Sequence, residues 1–525
     1  MDYKKCIIWL SIFLIIFSVL SGCNDFEDTT FSIFSTDIVD YYGFPSLIIN
    51  YSSSDEISIN YFDSNGITIF QDDLFYNQTE ILIPLGFYRD SITPGDFQLE
   101  VYNKNSDLIY TKSFSFLKNN LSILSAKGHW WKEISEGLEY LLLGITLEAE
   151  NIGENPIYPY FFNFTIENIS TSGNILPNIL LPQSTGYINF SLFLNGLDSG
   201  VKNCHIVIRD KQNEILSDKN FTINTQENVT NKTYKWNYSG ETEVSIPIPD
   251  YLYDYYQAKN RLDTNDYSAY VFDPYDDEYL ELVLNKLLSK LTSEDDITRV
   301  NYIASFVQSL DYAEDDPQNS SFEYPLYPIE LLFNVPCDCE DRSILGCSLM
   351  DLMGFNVSLL SLPKHMAIGV NPNQILLDYD YYVDEYYYLE TIIEGMNLGE
   401  APKLYRNISD QAIIYPINSR PVLIHEWIGT YGVVIDKELD LVKLNIIVEN
   451  NGNKIAKNVK ITGGFYSQED IEYNLETHQI SNLPPGEKKQ INLILTSPKG
   501  KLNVLKTKLY LDNTLIQEKQ STIFN

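Results

Sequence analysis

Basic residues are scarce in this chain: 36 Lys and Arg stand against 72 Asp and Glu in 525 residues, a formal net charge of −36. Phosphate binding needs a clustered basic face, and no such cluster is found, so a nucleic-acid partner is excluded. Acidity of this kind keeps an exposed protein soluble and decides nothing about its fold. Cysteine is rarer still, at six residues. They are too few and too unevenly spread for a disulfide scaffold. With five histidines, imidazole chemistry has few candidate positions. Only one long apolar run exists, Ile7 to Leu20, and no later segment approaches the roughly 20 residues that cross a bilayer. What is abundant is core material. The 44% hydrophobic content over this length supplies several cores, which predicts three or four domains and excludes a disordered chain.

The apolar run follows Lys4 and Lys5 and ends at Ser21-Gly22-Cys23, the layout of a signal peptide. Its last residues, Leu20-Ser21-Gly22-Cys23, resemble the lipobox of prokaryotic lipoproteins, in which the cysteine becomes the lipidated first residue. The expectation is therefore loss of residues 1–22, lipidation at Cys23, and a location on the extracellular face of the cell membrane. The other reading is an uncleaved anchor helix with Cys23 as a membrane-proximal thiol; both put the remaining chain outside the cytoplasm. Asn-x-Ser/Thr sequons at Asn77, Asn163, Asn220, Asn228, Asn231, Asn319 and Asn407 suit glycosylation of an exported chain.

Two hydrophobic periods divide the rest. Residues 24–118 and 119–226 alternate apolar and polar residues in short runs between Gly, Asn, Asp and Pro turns, the all-β pattern. Residues 430–525 do the same. Residues 227–425 change period: Leu280, Leu284, Leu287, Leu288 and Leu291 recur at helical spacing behind the acidic start at Asp273 to Glu278. A second helix carries Ile297, Val300, Ala304 and Val307 on one face. Strand-like runs follow at 357–362, 366–370, 375–379 and 386–392. Helices first and strands afterwards predict an α+β domain.

The junction between them runs from Asn334 through Cys337-Asp-Cys339-Glu-Asp341 to Gly354, with Ile344, Leu345, Leu349 and Leu352 marking a buried helix face. Cys339 then sits at a helix start, where the dipole and free N–H groups favour a thiolate and can cradle an oxyanion. Asp338, Glu340 and Asp341 oppose ionisation, so the thiol needs a histidine partner. His365 lies just downstream in the same region, on a predicted strand, and Glu390 on the next strand is an acid able to orient the ring.

This order of Cys, His and acid resembles the transglutaminase-like superfamily of papain-type thiol enzymes. The match is nearest to a group of prokaryotic, notably archaeal, surface proteins with a Gly-Asp-Cys-Glu-Asp helix start, a Pro-Gly-His strand and a Tyr-Tyr-x-x-Glu-Thr strand. Here Cys337 to Asp341, Pro363 to His365 and Tyr387 to Thr391 match them, and Tyr267 to Tyr279, Phe306 to Leu310 and Tyr324 to Pro328 fit upstream. The flanking regions resemble immunoglobulin-like β-sandwich modules of surface proteins. The resemblance implies a multidomain chain whose central α+β transglutaminase-like domain is flanked by β-sandwiches. It also implies Cys339, His365 and Glu390 as catalytic residues, and acyl transfer on an envelope protein or peptide. Hydrolysis stands ahead of cross-linking, and no cofactor is implied.

The chain departs from that group in having Cys337 and Lys364 where glycine is usual, and from the wider superfamily in having Glu390 where Asp is usual. Cys337 opens two other readings, a strained disulfide to Cys339 that masks the nucleophile, or metal binding. A lone Cys-x-Cys pair is a weak zinc signature, so no metal is assigned. Cys347 reads as a buried core thiol. A catalytically silent peptide-binding or scaffolding protein fits the same residues.

Overall fold

The computed structural model describes residues 31–523, apart from 75–77, 135–137, 314–323, 334–335, 407–408, 435–438 and 468. The signal segment, Cys23, Asn77, Asn319 and Asn407 lie outside the described residues.

Strict alternation builds most of the chain. Residues 57–62, 204–209 and 503–510 each bury every second side chain, as a strand with one face on a core must. Three modules result, each pairing a three-stranded antiparallel sheet with a four-stranded one. The first is built from Phe31–Phe116, the second from Leu121–Asn224 and the third from Leu423–Gln520. Each closes on its own core, centred on Tyr61 and Val101, on Phe164 and Phe190, and on Leu444 and Phe465 respectively. Seven strands in two packed sheets is the arrangement of immunoglobulin-type sandwiches.

Between the second and third modules the chain forms a hairpin, Thr230–Asn237 with Glu241–Ile248, and then six helices among the described residues. These are α1 (Asp250–Ala258), α2 (Ser268–Val271), α3 (Asp277–Leu288), α4 (Asp296–Gln308), α5 (Pro328–Leu332) and α6 (Cys339–Leu352). Five strands follow: β1 (Asn356–Leu362), β2 (His365–Asn371), β3 (Tyr382–Val383), β4 (Tyr386–Leu389) and β5 (Ile413–Pro416). They make one antiparallel sheet in the order β3-β4-β2-β1-β5.

Helix α6 organises this region. The sequence marks one apolar face, yet the helix is buried all round from Glu340 to Met350. The reason is its central place: α2, α3, α4 and α5 and strands β1 and β2 all pack on it. Gly354, with φ +84°, ends it in the left-handed conformation that suits glycine. The sheet is covered on both faces. Leu359, Met366, Ile368 and Leu389 join the helical core, while Leu360, Ala367 and Tyr388 join a smaller cluster with Tyr381 and Ala401 on the opposite side.

Two sequence expectations are corrected here. Residues 375–379 form no strand: Ile375 is 83% and Leu377 100% exposed. Both edges of β2 are already taken by β1 and β4, and the Leu376 N–H goes to the Tyr387 hydroxyl at 3.1 Å instead. The run expected as a strand over 386–392 ends at Leu389. Glu390 lies just past it because its own Oε1 accepts the N–H groups of Thr391 and Ile392, each at 2.9 Å, a local bond that competes with the strand ladder.

Candidate active site

Cys339 is the first residue of α6 and is half-buried. Asp338 caps the helix: its side chain accepts the Asp341 N–H, and the Asp341 carboxylate accepts the Asp338 N–H at 3.2 Å and the Leu326 N–H at 2.7 Å. The Cys339 sulfur makes two hydrogen bonds. The Met366 N–H donates to it at 3.4 Å, and the Glu340 Oε2 lies at 3.4 Å. Burial first, then the Glu340 charge, push this thiol well above its ordinary value, against the pull of the Met366 amide. The helix dipole does not by itself ionise it.

His365 opens β2, after a two-residue turn in which Leu362 pairs with His365. Lys364 in that turn has φ +61°. Glycine occupies such a position without strain, which accounts for the glycine of the resembling group. The His365 Nε2 lies 3.4 Å from Glu390 Oε1 and 3.1 Å from the Tyr388 hydroxyl, and that hydroxyl donates to Glu390 Oε2 at 2.7 Å. Burial alone would raise Glu390. The hydrogen bond and charge of His365, the Ile392 amide and the Tyr388 hydroxyl outweigh it and hold the carboxyl below its ordinary value. Tyr405 stacks on the imidazole, with ring centroids 4.8 Å apart at 14°. With Nε2 committed, Nδ1 is the nitrogen left for a thiol.

His365 and Glu390 are thus in direct contact. Cys339 touches the backbone of the residue after the histidine, and its side-chain neighbour is Glu340 rather than the ring. The three positions converge on the end of β2.

Several supporting residues carried no sequence signal of this role. Arg342 is fully enclosed, 2% exposed, and donates to the carbonyls of Gln308 (3.2 Å), Thr391 (3.1 Å), Ile392 (3.4 Å) and Leu310, and to Cys337 Sγ (3.4 Å). It ties the first turn of α6 to the turn after Glu390. Gln308 holds the same turn through the carbonyls of Glu390 and Met396, each at 2.9 Å. Ser343 Oγ reaches the Met366 carbonyl at 3.1 Å and lies 3.3 Å from the Thr391 hydroxyl. Tyr388 was not singled out in the sequence either, although it stands two positions before Glu390 and the strand alternation could have found it. Tyr405 arrives from a distant loop, and Arg342 reads in sequence as an ordinary surface charge.

Replacing Arg342 by Met is expected to cost about 3–5 kcal/mol, because several buried carbonyls lose a charged donor at once. Calorimetry with a transition for this region lowered by less than about 1 kcal/mol would show that the carbonyls find other partners.

Cys337 and Cys339 are both free thiols. Cys337 points to the Asp311 carbonyl (3.2 Å) and to Arg342, away from the neighbours of Cys339. Burial pushes it up to about 11 despite the Arg342 guanidinium. Cys347 is buried and donates to the Ser358 carbonyl at 3.5 Å. Asp338, Cys339 and Glu340 offer three ligand atoms within 4.8 Å of one another. Three consecutive residues without histidine do not make a closed tetrahedral zinc set, and no metal is assigned. A cavity of about 1360 Å³ lies between the modules, lined by residues such as Arg89, Lys211, Tyr255 and Lys488; its lining includes none of the three candidates. Among the described residues, no helix is long and apolar enough to cross a membrane.

No protein-family model matches the chain, and no curated protein sequence does. Solved structures similar to parts of it include a two-domain fibronectin type III segment of chicken tenascin, at 10% identity and TM-score 0.18, over 37% of this chain and 99% of that one. Red sea bream transglutaminase aligns at 9% identity and TM-score 0.17, over 73% of this chain and 80% of that one. An exo-chitosanase of Amycolatopsis orientalis aligns at 8% identity and TM-score 0.16, over 91% and 76%.

Proposed function

We propose that this chain is a transglutaminase-like cysteine acyl-transfer enzyme whose catalytic residues are Cys339, His365 and Glu390. Its substrate is an amide or isopeptide bond of an envelope protein or peptide. The observation that carries the reading is the buried Glu390–His365 pair, with its Tyr388 clamp, set beside a cysteine that opens a buried helix.

In this mechanism His365 takes the thiol proton, and the Cys339 thiolate adds to the carbonyl carbon. The oxyanion collapses, the C–N bond breaks, and the leaving amine takes the proton from the imidazolium. Water then adds to the thioester and releases the carboxylic acid, regenerating the thiol. Water as second nucleophile gives hydrolysis, the favoured outcome; an amine would give a cross-link. Glu390 stabilises the imidazolium and fixes its orientation. With Nε2 held by Glu390 and Tyr388, Nδ1 of His365 is the nitrogen that takes the thiol proton. The β modules hold this region at the outer face of the membrane, with Cys23 as the lipid anchor.

The silent, peptide-binding alternative draws on the direction of the thiol's shift: burial, its largest cause, raises Cys339 above its ordinary value. A thiol-directed amide mimic separates the two. Peptide mapping after incubation at neutral pH is expected to find the label on Cys339, with Cys337 and Cys347 unmodified. An unlabelled Cys339 under reducing conditions would remove the enzymatic reading and leave the binding one.

A further inference from the structure

We infer that Glu340, on the acyl-transfer reading above, is the side-chain hydrogen-bond donor to the oxyanion formed when Cys339 attacks a carbonyl. The position suits the task. Glu340 Oε2 lies 3.4 Å from the sulfur, close enough that an attack from that side can bring an oxygen on the carbon bonded to the sulfur within hydrogen-bond reach of it. The N–H groups of the first turn of α6, which have no intrahelical acceptor, stand at the same end.

A carboxyl group donates only when neutral, and the surroundings keep this one so. Glu340 is 2% exposed, and its Oε1 is buried with no hydrogen-bond partner. An ionised carboxylate left that way would pay heavily for its lost hydration. Asp338 and Asp341 stand beside it in the same turn, and their charges oppose a further one on Glu340. Burial first, then the hydrogen bond to Asp338 and its charge, push Glu340 up to about 10. While Glu340 is neutral its charge does not add to the thiol's shift, and burial, the largest cause, remains. During turnover it keeps its proton but turns it from Asp338, its resting partner, to the oxyanion, and His365 does the proton transfer. The thiol–carboxyl contact of the resting state fits either direction of donation, since heavy-atom positions do not fix the hydrogen.

The test compares the full chain with its Glu340→Gln and Glu340→Ala variants, using two probes. An N-acetyl dipeptide aldehyde forms a tetrahedral adduct with a thiolate and needs the oxyanion donor; iodoacetamide alkylates the same sulfur without forming one. Glu340→Ala is expected to weaken aldehyde binding by about 10²-fold or more while alkylating at Cys339 at least as fast as wild type. Glu340→Gln, which keeps a neutral donor of the same shape, is expected to stay within about threefold of wild type for both probes. Gln losing aldehyde affinity as Ala does, or Ala keeping it, would overturn the assignment. A wild-type chain that alkylates at Cys339 but binds no aldehyde points instead to failure of the acyl-transfer reading, and the inference falls with it. The pH dependence of unfolding guards against a folding artefact. A carboxyl raised in the folded state makes stability fall as pH climbs from about 4.3 toward its folded value, so that slope should shrink in Glu340→Gln. An identical slope in both chains would show that Glu340 is ionised, against the proposal.

Discussion

Cys339→Ala is expected to lower the rate of acyl transfer by about 10⁴- to 10⁶-fold while changing unfolding by less than about 1 kcal/mol. The large first number follows from covalent catalysis: without the sulfur no thioester forms, and what remains is whatever binding and the oxyanion donors achieve on their own. The small second number follows from the site. The thiol is half-buried, and its hydrogen bonds, 3.4 Å to the Met366 amide and 3.4 Å to Glu340, are the weak ones that sulfur makes. Single-turnover kinetics on an activated amide, with mass detection of the thioester, checks both. Cys339→Ser should be nearly as inactive, because a hydroxyl in this setting is even harder to ionise than the thiol. An alanine variant within tenfold of wild type would mean that another group attacks.

Glu390→Gln should leave substrate binding almost unchanged and lower kcat by about 10²- to 10⁴-fold, through loss of the imidazolium's counter-charge and of its fixed orientation. The amide keeps the shape, and its oxygen can still accept the Thr391 and Ile392 amides, so the turn survives. What disappears is the negative charge 3.4 Å from His365 Nε2. The pH dependence carries a definite sign. Glu390 is held below its ordinary value, so its contribution to stability is complete above the unfolded carboxyl value near 4.3 and is lost as pH falls further, through the folded value. Wild type and Glu390→Gln should therefore differ by a constant amount above about pH 5 and converge in strong acid. Curves that converge between pH 6 and 8 would show that a different group titrates with the pair. An acid limb of activity in that neutral range likewise does not belong to Glu390.

Much of the architecture was legible as pattern. Alternation in runs such as Ile57–Phe62 dictates strands with one buried face, and the leucine spacing after Asp277 dictates α3. The apolar spacing of Ile344, Leu345, Leu349 and Leu352 also put Cys339 at a helix start, and the structure adds a reciprocal cap between Asp338 and Asp341. The limits were equally physical. Residues 375–379 have strand composition and no free strand edge to pair with, and Glu390 leaves its strand early because its carboxylate caps the next two amides. A strand depends on its neighbours, whereas a cap depends on its own turn.

The sequence by itself determined the acidic surface, the three alternating β regions, the helix that Cys339 opens and the short Cys, His, acid order. These are properties of near neighbours along the chain, where periods of 2 and 3.6 and the chemistry of helix ends decide the outcome. Tertiary structure alone decided that His365 and Glu390 touch, that Tyr405 stacks on the imidazole from a distant loop, and that Arg342 is a buried clamp rather than a surface charge. It also decided the state of the thiol. Burial and the carboxyl pair around Cys339 exist only when α6 is enclosed on every side, and desolvation of a charge is set by everything packed around it, which no local spacing encodes.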